Sequence, residues 1–191
     1  MKHIFLGDSI TKGAIPKKED VWIHLISNMH PENEYVNKGI AGDTTAGMLS
    51  RFYRDVVEEG GRCVVIMGGL NDLFAGADSG LVNSNLMALV HQAYFYSIKP
   101  ILCIPPIPIP KMIKTEWSEF ADCQKVVDEC MGLRRWLTLF SRTFGTFVID
   151  FEEGFKVLGE EEKKNYFIDG IHPNEKGNEI MARWIKRNEF L

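Results

Sequence analysis

A chain of 191 residues, 45% hydrophobic and 25% charged, is long enough to bury one substantial core and too apolar for disorder, so residues 1–191 read as a single domain. With 22 basic against 26 acidic residues and a formal charge of −4, it lacks the broad cationic face that a phosphate backbone demands, which argues against nucleic acid as a partner. No apolar run approaches the ~20 residues that cross a bilayer, and the run before Gly7 and Asp8 is too short for a signal-peptide core, so a cytoplasmic protein is expected.

Strand and helix patterns alternate along the chain. Ile4-Phe5-Leu6 is an apolar run that stops at Gly7-Asp8-Ser9, placing Ser9 at the carboxyl end of a first strand, where open α/β sheets keep their ligand crevices. Ser9 there is a candidate nucleophile, while helix capping by Asp8 and Ser9 is the plainer role. Val21, Trp22, Leu25, Ile26 and Met29 recur at helical spacing over residues 20–30, and Tyr35-Val36-Asn37 reads as a short strand. The loop that follows contains Gly39 and Gly42, which allow close backbone approach, and Asp43 or Thr44, either of which can cap the helix of Met48, Leu49, Phe52, Val56 and Val57.

Cys63-Val64-Val65-Ile66-Met67 is continuously apolar, as a central parallel strand covered on both faces must be. It empties into Gly68-Gly69-Leu70-Asn71-Asp72, where the Asn71 side chain offers two N–H donors. A helix is expected over residues 83–97, a fourth strand over 101–104, a long helix over 119–144 and a fifth strand over 147–150. Between the fourth strand and the long helix, the prolines of residues 105–110 must leave the sheet, as a rigid wall over the crevice or as a polyproline ligand. The mixed charges of residues 160–164 read as a solvated face. Finally, Asp169-Gly170-Ile171-His172 can set a carboxylate against an imidazole, an acid-base pair, ahead of a helix burying Ile180, Met181, Trp184 and Ile185. Cys63, Cys103, Cys123 and Cys130 include no C-x-x-C pair and are expected to be buried thiols.

With four such loops gathered at one edge of a five-stranded parallel sheet, the sequence resembles the SGNH, or GDSL-like, hydrolases. Gly7-Asp8-Ser9-Ile10 looks like the first block of that family, Asn37 through Gly42-Asp43-Thr44 the second, Gly69-Leu70-Asn71-Asp72 the third and Asp169-Gly170-Ile171-His172-Pro173 the last. Ile10 stands where the first block usually has leucine. The resemblance implies a three-layer α/β/α, flavodoxin-like fold with sheet order 2-1-3-4-5. It also implies Ser9 as nucleophile, His172 as base and Asp169 as its orienter, with the Ser9 and Gly42 backbone and the Asn71 amide as oxyanion hole.

The expected reaction is hydrolysis of carboxylic esters through an acyl-enzyme on Ser9, with short acyl groups, acetyl above all, on small or carbohydrate-like alcohols. The substrate pocket is expected from Asp8, Ile10, Leu70, Phe74, Ile107 and Ile171. No cofactor is expected, and no metal, since the histidines lack ligand spacing. A small-molecule ester is the expected partner, and the oligomeric state stays open, a homodimer included. The rival readings are a lysophospholipase or thioesterase and, in another class, a flavodoxin-like protein that binds without turnover.

Overall fold

The computed structural model describes residues 1–188. Five strands, β1 (Lys2–Gly7), β2 (Glu34–Gly39), β3 (Cys63–Met67), β4 (Lys99–Ile104) and β5 (Phe147–Asp150), form one parallel sheet in the order β2-β1-β3-β4-β5, as expected. The helices are α1 (Ser9–Lys12), α2 (Trp22–Met29), α3 (Thr45–Phe52), α4 (Leu70–Phe74), α5 (Ser79–Phe95), α6 (Thr115–Phe120), α7 (Cys123–Phe144), α8 (Phe151–Phe155), α9 (Glu160–Lys163) and α10 (Glu175–Asn188). Helices α2, α8 and α10 pack together as one layer, and α3, α5 and α7 as another, giving the three-layer α/β/α, flavodoxin-like sandwich.

Apolar burial explains this arrangement. Every residue of β3 is buried, because a central parallel strand is covered by helices on both faces. Trp22 is fully buried between Phe5 and Phe151, whose rings meet it edge-on at 5.3 and 5.1 Å, a favoured aromatic geometry. Register does the rest. Gly7 pairs with Gly39 on one side and Met67 on the other, so β1, β2 and β3 end level and the three loops behind them open at the same edge of the sheet.

Several elements depart from their sequence pattern. The helix expected over 119–144 is two: the chain is extended at Ala121, and Asp122 restarts it as α7 by accepting from the backbone N–H groups of Gln124 and Lys125, each at 3.1 Å. Helix α5 starts at Ser79, ahead of its apolar stripe, because Asp78 accepts from Gly80 N at 2.7 Å, a stabilising N-cap. Thr44, rather than Asp43, caps α3, which runs on through a π-helical turn, Tyr53–Val57.

The proline segment is a wall. Pro105, Pro106 and Pro108 are buried, which leaves no polyproline face for a partner. Ile107 N donates to Glu152 and Ile107 O accepts from Lys163, at 2.8 and 3.2 Å, while Ile109 N donates to Gly170 O at 2.8 Å. The segment is thereby fastened to the loop that carries Asp169 and His172. Cys63, Cys103, Cys123 and Cys130 are all free and buried.

Candidate active site

Ser9 opens α1, directly after the Asp8 cap, whose carboxylate accepts from Ile10 N at 2.9 Å. Capping and exposure of the hydroxyl therefore coexist here. Ser9 Oγ lies 2.8 Å from His172 Nε2, and His172 Nδ1 lies 2.8 Å from Asp169 Oδ2. The other Asp169 oxygen accepts from the backbone N–H groups of Ile171 and His172, at 3.0 and 2.8 Å. Burial pushes the Asp169 carboxyl up. The imidazole bond, the His172 and Ile171 amides and the charge at His172 outweigh that and hold it at about 2. An ionised Oδ2 can only accept, so Nδ1 carries a proton, and in the neutral form of the ring Nε2 is the acceptor to which the Ser9 hydroxyl donates.

The loop carrying the pair is closed on itself. Ile168 N donates to His172 O at 2.9 Å and Asn174 N to Tyr166 O at 3.0 Å, around a bridge between Phe167 and Pro173. Gly170 makes this possible at φ +81°, a conformation open chiefly to glycine. The Asn178 amide then accepts from Trp22 N and donates to the Pro173 and Asn174 carbonyls, at 3.0, 3.0 and 2.9 Å, joining the end of this loop to the start of α2.

Across from His172, Asp43 N donates to Ile40 O at 3.1 Å. Gly42 sits at φ +78°, as glycine does in the third place of such a turn. The Asn71 amide donates to Asp43 O at 2.8 Å, which leaves its second N–H unclaimed. Neither Ser9 N nor Gly42 N donates to another described residue. Three polar hydrogens are therefore available in one region. Asp72 ties this region to α3 by accepting from Thr45 N at 3.0 Å and Thr45 Oγ1 at 2.6 Å.

Of the residues expected to line a pocket, Asp8, Ile10, Leu70, Phe74, Ile107 and Ile171 are all buried, exposing at most 7% of their surface. Ile10 nonetheless borders the space beside Ser9 and His172, while Leu70, Phe74, Ile107 and Ile171 pack in the hydrophobic core. The space beside Ser9 and His172 is a shallow depression edged by Gly13, Ala14, Ile15 and Pro16. Burial pushes the Asp8 carboxyl up to about 6, with Asp43 and Asp72 adding to the rise and the Ile10 amide and His172 opposing it. Among the described residues no three His, Cys, Asp or Glu side chains converge as a metal set, and no helix is long and apolar enough to cross a membrane.

Two of the buried polar residues that escaped the sequence pattern brace the site. Arg51 is 6% exposed, with Nε 2.8 Å from Asp43 Oδ2, Nη1 2.7 Å from Lys38 O and 2.9 Å from Asp55 Oδ2, and Nη2 3.0 Å from Gly7 O. Asn178 is the other. The available signal was a polar residue in an inward stripe: Arg51 shares its face with Met48 and Asn178 with Met181 and Ile185.

The GDSL-like Lipase/Acylhydrolase family model matches residues 5–180. The chain is 31% identical over 119 residues to an uncharacterized lipoprotein, YqeF, of Bacillus subtilis (strain 168), covering 54% of this chain and 49% of that one, so it spans about half the length of that relative. It is 25% identical over 211 residues to an acetylxylan esterase of Geobacillus stearothermophilus, covering 97% of this chain and 92% of the esterase. A solved member of the lipolytic protein G-D-S-L family from Veillonella parvula DSM 2008 superposes with a TM-score of 0.79 at 24% identity, over 98% of this chain and 97% of that one.

Proposed function

The chain belongs to the GDSL-like lipase/acylhydrolase family, and from that premise we propose that it hydrolyses carboxylic esters of short acyl groups through an acyl-enzyme on Ser9. The observation that carries this reading is the unbroken relay from Ser9 Oγ through His172 to Asp169, two contacts of 2.8 Å. Ser9 Oγ attacks the carbonyl carbon as its proton passes to His172 Nε2. Asp169 holds the imidazole in the required tautomer and stabilises the imidazolium. Negative charge on the former carbonyl oxygen is met by Ser9 N–H, Gly42 N–H and the unclaimed Asn71 N–H, donors of the kind each worth about 3–4 kcal/mol in the transition state. Collapse breaks the bond to the alcohol, which leaves with the proton from His172. Water then attacks the acyl group, gives a proton to His172, and releases the carboxylic acid as Ser9 regains its hydrogen.

A short acyl group on a small or carbohydrate-like alcohol is supported by the shallowness of the depression and by the burial of the residues that could have deepened it. One observation favours a longer chain. Trp117, 42% exposed, packs edge-on against Phe74 at 5.3 Å, and Phe120 beside it is 69% exposed, an apolar edge next to α4 that a lysophospholipid or thioester chain could follow. The four free buried thiols support a reducing, cytoplasmic compartment, and because one relative is named a lipoprotein, cell fractionation is the measurement that decides it.

Labelling by a fluorophosphonate, with the modified residue identified by mass spectrometry, tests the central assignment. Ser9 should carry the label, and Ser9→Ala should remove both labelling and esterase activity while leaving the melting temperature near that of the parent. A folded, fully active Ser9→Ala variant ends the assignment, and a flavin-like absorbance in the purified protein would point instead to a cofactor-binding protein.

A further inference from the structure

We propose that Arg51 is a positioning residue that holds the oxyanion-binding groups in register with the Ser9 strand. The inference rests on the ester-hydrolase reading above and adds to it a residue outside the four motif blocks. The guanidinium joins three pieces of chain that must keep a fixed separation. Gly7 O, 3.0 Å from Nη2, is the last carbonyl of β1, two residues before Ser9. Lys38 O, 2.7 Å from Nη1, belongs to the end of β2. The Asp43 carboxylate, 2.8 Å from Nε, follows Gly42 directly. Asp43 passes the constraint on, since its backbone carbonyl accepts the Asn71 amide at 2.8 Å and so determines which Asn71 N–H remains free.

The choice of residue fits this task. Arginine presents a planar fork of donors that several acceptors can hold at once, whereas lysine offers one compact ammonium. A buried guanidinium is costly unless its donors are paired, and here Asp43 and Asp55 supply the countercharges. The ladder already holds residues 38 and 39 against β1, so removing the fork would free the 41–43 turn to shift against the Ser9 strand. Displacements of about 1 Å at such a site are enough to cost about 10²-fold in rate. Substrate binding in the ground state uses none of these contacts.

The test is a double-substitution cycle with Asn71→Ala, read in kcat and KM on a short nitrophenyl ester, with melting temperature alongside. Arg51→Lys should lower kcat about 10–100-fold with KM within about twofold, and in the Asn71→Ala background the same change should cost less than about threefold, because the group it positions is already gone. Inhibition by an alkylboronic acid, which forms a tetrahedral adduct on serine, should weaken in step with kcat/KM. Equal losses in the two backgrounds, or a fall in melting temperature with kcat unchanged, overturn the proposal. If Asn71→Ala itself leaves kcat intact, the oxyanion assignment of Asn71 fails and the inference with it. Should Arg51→Lys not fold, Asp43→Asn carries the same cycle, since it weakens only the loop side of the clamp and leaves Gly7, Lys38 and Asp55 bound to Arg51; additive losses for that variant reject the proposal equally.

Discussion

Two carboxyls three or fewer residues from the proposed catalytic groups answer pH in opposite senses. Asp169 titrates at about 2 rather than its ordinary 3.8, so it stabilises the fold above pH ~4, and that contribution is lost as pH falls from about 4 towards 2. Asp8 is raised to about 6 by burial, so its contribution is complete below pH ~4 and lost as pH rises to about 6. Asp8→Asn keeps an oxygen for the Ile10 amide, and the melting temperature of that variant should therefore decline less than the parent's between pH 4 and 7; a parallel decline would show that Asp8 is ionised throughout. Asp169→Asn should lower kcat about 10⁴-fold, less than the roughly 10⁶-fold loss for Ser9→Ala, because the orienter of such a triad is its least indispensable member. Asn71→Ala should lower kcat by about 10²–10³ with KM little changed, since the proposed role of its amide is to meet charge present only in the transition state. A change in KM alone would assign it to ground-state binding.

Loop geometry dominates at the level of elements. A Cβ on Gly170 would lie 2.6 Å from Ile109 O and 2.8 Å from Met112 Cβ at a φ of +81°, so Gly170→Ala should cost about 1–3 kcal/mol or more and displace His172 from Ser9. Gly145, at φ +66° with nothing within 4 Å, is the control: Gly145→Ala should lower the melting temperature a few degrees and leave kcat unchanged. Calorimetry and turnover on the two variants separate strain from displacement. What could be foreseen of these elements follows from their length. The strand ends were legible, because Ile4-Phe5-Leu6 and Val64-Val65-Ile66 are apolar runs that stop at small residues. Helices α1 and α4 were not, since four or five residues hold too little of a 3.6-residue period to register. Arg51 and Asn178 escaped because one partner of each, Gly7 and Trp22, lies 44 and 156 residues away, and periodicity reports burial, not a polar partner brought in by the fold. Leu70, Phe74 and Ile107 are expected as crevice lining because loop apolars adjoin the motifs, and in the structure their side chains are buried. The sheet order came from the family resemblance and could not have come from local pattern.

Over the whole molecule, the five strands and the crossovers between them take up most of the chain, leaving little from which to build a deep acyl tunnel. Each buried methylene is worth about 0.8 kcal/mol, or roughly fourfold in kcat/KM, for as long as a pocket continues. On a series of nitrophenyl esters, kcat/KM should therefore flatten or fall beyond about four carbons. A steady rise to eight or ten carbons would instead mean that the Trp117 and Phe120 edge guides the chain, and would favour the lysophospholipid reading.

The contact between Ser9 and His172 spans 163 residues of sequence, whereas Asp169 and His172 share one self-closed loop. During synthesis Ser9, the proposed nucleophile, thus leaves the ribosome early and waits for His172, its proposed base. At 5–20 residues per second that interval is about 8–30 s, through which the emerging chain holds an ordinary, unreactive serine. On that mechanism a protein stopped anywhere short of residue 172 would be inert towards fluorophosphonate, so labelling of translation products reports synthesis past His172 as well as chemistry. On the proposed mechanism, a protein assembled in this order cannot attack cellular esters while it is still being made.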